Sequence, residues 1–83
     1  MNELEVKKWL IEWFHNNSSV DTEKISEMAS ENYFTVGLVD SFGFINLLSD
    51  IEEKFGATFS NDDFLDRSFA TLDGLSKMII KKV

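Results

Sequence analysis

Apolar residues return at helical spacing over the first fifteen positions. Val6, Trp9, Leu10, Trp13 and Phe14 share one stripe, while Glu5, Lys7, Lys8 and Glu12 fall off it. The pattern predicts a helix from Glu3 to His15, closed by the turn-forming run Asn16-Asn17-Ser18-Ser19. The two tryptophans are read as core residues rather than ligand-stacking ones, because helical spacing alone predicts their burial.

A second stripe, Phe44, Leu47, Leu48, Ile51 and Phe55, predicts a helix over 41–55, with Gly56 placed to stop it. A short third element is expected over Asn61–Leu65, with Ser60 as N-cap and Asp63 three residues on forming an imperfect capping box. The last helix runs over Leu72–Lys82 behind a Thr71 cap. Leu75, Met78, Ile79 and Val83 continue its apolar side, and Lys77, Lys81 and Lys82 suit the negative end of its dipole.

Between the first two helices, residues 17–40 show no sustained period, a long connection for so small a chain. Val20, Ile25, Met28, Tyr33, Phe34, Val36, Leu38 and Val39 supply apolar anchors, and Asp21 to Ala29 suit a short helical turn. The segment therefore reads as an ordered, packed loop in which Gly37 takes a backbone angle other residues resist. The fold expected is all-α: a small bundle of three main helices and one short one, with a long ordered first loop.

Composition agrees. Proline is absent and glycine occurs only four times, so a many-stranded sheet would lack its turn residues. The 83 residues suit one domain, 1–83, with one modest core. Without cysteine there is no disulfide, thiolate nucleophile or Cys-based zinc site. No apolar run approaches a membrane span, and a cytoplasmic protein is expected. The net charge of −7 opposes binding to nucleic-acid phosphates and anionic headgroups, and favours a protein partner with a basic patch. The same acidity also serves solubility alone.

Catalytic and metal patterns do not emerge. His15 is the single histidine and has no nucleophile arranged around it. No phosphate-binding glycine loop occurs, and Asp62, Asp63 and Asp66 do not follow the calcium-loop spacing. The expectation is a protein that is not an enzyme.

The informative segment is Gly37-Leu38-Val39-Asp40-Ser41-Phe42-Gly43-Phe44, where the long loop meets the helix over 41–55. Asp40 suits a helix cap and Ser41 a first-turn residue, both ordinary structural roles. Phe42 breaks that picture. At 100° per residue it lies off the buried stripe, on a ridge with Asn46, Asp50 and Glu53. Phe42 either anchors a partner steered by acidic neighbours or folds back against the preceding loop.

Over nearly its whole length the sequence resembles the acyl carrier protein family. The likeness rests on Asp40-Ser41-Phe42, close to the family's Asp-Ser-Leu signature, and on Ile51-Glu52-Glu53-Lys54-Phe55-Gly56 at the helix end. Tyr33-Phe34-Thr35-Val36-Gly37-Leu38 looks like the loop before the serine, and Ser60-Asn61-Asp62-Asp63 and Thr71-Leu72 fit the remainder. The resemblance implies that a transferase moves 4′-phosphopantetheine from coenzyme A onto Ser41, with Asp40 capping the helix and aiding recognition. The arm would carry an acyl or aminoacyl group as a thioester to partner enzymes that do the chemistry. It also implies Phe42, Asn46, Asp50, Glu52 and Glu53 as the docking face, and a monomer passed between enzymes. Asn46, Ser49 and Gly43 depart from fatty-acid-synthesis members, and the Val39-Asp40-Ser41-Phe42-Gly43 run looks more like stand-alone carriers of specialised pathways, D-alanyl carriers among them. The rival reading is a helical interaction module that never receives the arm.

Overall fold

The structure, a computed structural model, describes residues 2–83. Among the described residues there are five α-helices: α1 (Glu3–Ser18), α2 (Thr22–Glu27), α3 (Ser41–Phe55), α4 (Asn61–Phe64) and α5 (Leu72–Lys82). A 3-10 helix, Arg67–Ala70, joins α4 to α5. Helices α1, α3 and α5 are the long ones, so the expected all-α bundle is the fold.

One core runs through the bundle. Val6, Leu10, Trp13 and Phe14 enter it from α1, Leu47 and Ile51 from α3, and Leu72, Leu75 and Ile79 from α5. Both tryptophans pack there, Trp13 buried and Trp9 half-buried, its ring edge-on to Phe55 at 5.2 Å. Removing this apolar surface from water is the main stabilising term, roughly 25 cal/mol per Å².

Helix α1 runs three residues beyond the expected end at His15, because its turn-forming residues bond backwards into the helix. Asn17 Nδ2 donates to the Trp13 carbonyl at 2.8 Å and Ser18 Oγ to the Phe14 carbonyl at 2.5 Å. Ser19, at φ 63°, then turns the chain through the left-handed region and ends the helix. The glycines behave as expected: Gly37, within the long loop, has φ 81°, and Gly56, which stops α3, has φ 74°.

The long first loop is ordered because its backbone is bonded to the rest of the molecule. Tyr33 N–H donates to the Ala70 carbonyl at 2.9 Å, and Asp73 N–H to the Ala29 carbonyl at 3.0 Å. Asn32 Oδ1 accepts from the N–H groups of Phe34 and Thr35, holding the turn between them. Ile25, Ala29, Tyr33 and Leu38 are buried beneath these ties. The buried Tyr33 hydroxyl donates to the Phe69 carbonyl, and burial raises its pKa, which keeps that proton in place.

Helix α4 has the expected capping box, Ser60 N–H donating to Asp63 Oδ2 at 2.8 Å. Asp63 also meets Lys82 Nζ at 2.9 Å, and the lysine's hydrogen bond is the largest cause holding that carboxyl below its usual range. Asp66 is lowered by hydrogen bonds from the Ser68 hydroxyl and N–H. A lowered carboxylate pKa means the folded state favours the charged form. The resulting stability is complete above about pH 4 and is lost as pH falls through the lower folded values. Thermal melts across that range are expected to fall on acidification, and Lys82→Met to flatten the Asp63 share of the fall.

Candidate functional site at the start of helix α3

Asp40 ends the loop with extended backbone, φ −105° and ψ −176°, and caps α3. Its Oδ1 accepts from Gly43 N–H at 2.8 Å, and its carbonyl accepts from Phe44 N–H at 2.8 Å. The cap leaves Ser41 as the first helical residue, exposed. No helical carbonyl is available to the N–H groups of Ser41 and Phe42, so the positive end of the α3 dipole lies at the serine.

Gly43 permits this close packing. A Cβ there would stand 2.8 Å from Val39 Cγ2 and 3.3 Å from Asp40 Oδ1. The glycine therefore lets the loop and the cap lie against the first turn. An open cleft of about 540 Å³ adjoins Ser41, lined among others by Trp13, Ser18, Phe34, Gly37 and Val39. Its polar and apolar walls leave a linear group room to lie beside the serine without entering the core.

Phe42 does not fold back against the loop; it is 81% exposed. Asn46, Glu52 and Glu53 are exposed on the same side of α3. Asp50 differs from the ridge reading. It is half-buried, and its Oδ2 accepts from Trp13 Nε1 at 2.7 Å, which ties α3 to α1. Ile45, 62% exposed, is a surface residue the sequence reading missed. The same 100° projection that isolated Phe42 also places Ile45 outside the buried stripe. Leu65, after α4, is a further exposed apolar side chain.

An all-α bundle with an exposed, Asp-capped serine opening a long helix is the architecture of a small carrier domain. The family model described as the phosphopantetheine attachment site matches residues 9–79, and the chain belongs to that family. No curated protein and no solved structure matches it. The family is defined by 4′-phosphopantetheine attached covalently to a serine, so the chain is a phosphopantetheine carrier. The residues at α3 fit such a group: a reachable hydroxyl, unbonded N–H groups able to face a phosphodiester, and an open cleft for the linear remainder. Among the described residues, no helix is long and apolar enough to cross a membrane.

Proposed function

We propose that Ser41 is the attachment residue, and that residues 1–83 form one carrier domain presenting an acyl or aminoacyl group to partner enzymes. The carrying observation is the exposed Ser41 side chain at the first position of α3, behind the Asp40 cap. Other serines suit the role less well: the exposed Ser19 and Ser30 lie outside the helices and open none. Ser76 is buried and donates to the Leu72 carbonyl. Ser18 donates to Phe14, while Ser60 and Ser68 are held by Asp63 and Asp66. Ser49 lies mid-helix, and Ser26 near the end of the six-residue α2.

The chain's own residues then have simple roles. Ser41 Oγ loses its proton and bonds to the pantetheine-side phosphorus as coenzyme A's pyrophosphate bond breaks and adenosine 3′,5′-bisphosphate leaves. The first-turn N–H groups and dipole favour the phosphodiester's negative charge, and Asp40 fixes the helix start. When bound, the group supplies a terminal thiol to which cargo is linked as a thioester. Catalysis belongs to the partners, in a cytoplasmic protein that works as a monomer. The test is intact mass after incubation with coenzyme A and a broad-specificity phosphopantetheinyl transferase. The proposal expects addition of one arm; an unchanged mass favours the unmodified interaction module instead.

Partners dock on the exposed side of α3. Phe42 is the apolar anchor, Asn46 a polar neighbour, and Glu52 and Glu53 attract a basic patch, with Ile45 widening the contact. Asp50 contributes charge from the edge while it holds Trp13. Phe42→Ala is expected to raise the transferase KM by roughly 10-fold or more, as loss of a central anchor does. Glu53→Lys is expected to slow association by a factor that shrinks with added salt. Transferase kinetics at two ionic strengths check both, and an unchanged KM for Phe42→Ala removes the docking role.

A further inference from the structure

The end of the bundle beside Ser41 is filled with aromatic rings. Phe44, on the next turn of α3, has its ring centroid 5.0 Å from Phe34, 5.6 Å from Phe69 and 6.3 Å from Phe64, all edge-on. Phe64 closes on Phe69 at 4.8 Å, and buried Tyr33 lies behind Phe44 at 6.0 Å. Two clefts open to solvent flank this cluster. One, of about 450 Å³, is lined by Phe34, Phe44, Phe64 and Phe69. The other, of about 260 Å³, is lined by Ile45, Leu48, Phe59 and Phe64.

Phe64 borders both clefts and is the wall between them. It is also anchored. Its four-residue helix is held at one end by the Ser60–Asp63 capping box, and Asp63 is tied to Lys82 of α5 at 2.9 Å. A linear chain entering the bundle from Ser41 along α3 meets Phe44 first and Phe64 next. Displacing either ring breaks edge-to-face contacts in a close-packed cluster.

Resting on the reading of Ser41 as the attachment residue, we propose that Phe44 and Phe64 are specificity-determining residues that close the bundle to linear acyl chains. The cargo class this fits is short or polar, a short acyl or aminoacyl group that stays at the surface. A long alkyl chain gains no burial here, and outside the bundle it exposes apolar surface to water.

Thermal melts of the holo-protein loaded with acetyl, alanyl or octanoyl groups test this. The wild type is expected to melt within ~1 °C for all three, while octanoyl-loaded Phe64→Ala melts roughly 5 °C above its acetyl-loaded form, since the opened space buries several methylenes. Phe64 is 44% exposed, so the variant keeps the fold. A parallel set makes the result independent of the natural arm. The chain has no cysteine, so Ser41→Cys offers one thiol for alkylation with N-methyl or N-decyl iodoacetamide, with and without Phe64→Ala. The decyl tether is expected to stabilise only the Phe64→Ala background. Stabilisation of the wild-type background by octanoyl or decyl chains overturns the closure, as does no gain in Phe64→Ala. Failure of the transferase to modify the wild type, with the tether pattern intact, counts against Ser41 as the attachment residue and leaves the closure standing.

Discussion

Gly74→Ala is expected to lower the stability of the domain by about 3 kcal/mol, the size of a severe overpacking. Gly74 lies in the first turn of α5, buried against the 3-10 helix. A Cβ there would stand 1.9 Å from the Ser68 carbonyl oxygen and 2.5 Å from its carbon. Both are backbone atoms, so no side-chain rotation relieves the clash. That carbonyl also accepts from Thr71 N–H at 3.1 Å and Thr71 Oγ1 at 3.0 Å, which fixes it over the glycine. Helix propensity acts the other way, since alanine exceeds glycine by up to about 1 kcal/mol in a helix. The clash is the larger effect. Gly56→Ala is the control: its added Cβ meets nothing within 4 Å, and only φ 74° opposes it. It is expected to cost about 1 kcal/mol. Denaturant melts of both variants check the order, and equal midpoints contradict it.

Ser41→Ala is expected to abolish attachment of the arm completely while leaving the fold intact. The Ser41 side chain is exposed, and the cap depends on the Asp40 carboxylate rather than on the serine hydroxyl. Loss of an exposed hydroxyl of this kind changes stability by no more than about 0.5 kcal/mol. Asp40→Ala is expected to behave oppositely. It keeps the acceptor but frees Gly43 N–H, at a cost of about 1 kcal/mol. Intact mass and thermal melts on the two variants separate acceptor from cap. A Ser41→Ala chain that still gains the arm would move the acceptor to another serine.

Helix α3 was legible in the sequence from end to end because both of its boundaries carry chemistry. Asp40 caps it, and Gly56 takes the left-handed angle that stops it. The starts of α4 behind Ser60 and α5 behind Thr71 are legible for the same reason, while α4 ends at Phe64, one residue before the expected Leu65. Helix α1 extends past the end its sequence pattern predicts, since Asn17 and Ser18 are turn formers by type but bond back to Trp13 and Phe14 in place. The 3-10 helix had no periodic signal. It is set by Asp66 accepting from Ser68 N–H and by the distant Tyr33, whose N–H bonds to Ala70 and whose hydroxyl bonds to Phe69.

At the site, helical projection placed Phe42 on the surface, and the structure settles its two alternatives in favour of exposure. Projection could not reveal that Asp50 meets the indole of Trp13, 37 residues away in the chain. That contact depends on how two helices pack, which one helix's periodicity does not encode. Ile45 was within reach of the same projection and was hidden by its residue type, because an isoleucine beside an apolar stripe is easily assigned to it.

Fragmentation mass spectrometry of the transferase-treated protein tests the central claim most directly, because it places the added group on one residue. The whole mass increment is expected on the peptide containing Asp40-Ser41-Phe42, with the phosphodiester at Ser41. An increment on any other serine, or none under a transferase that modifies a control carrier, would contradict it.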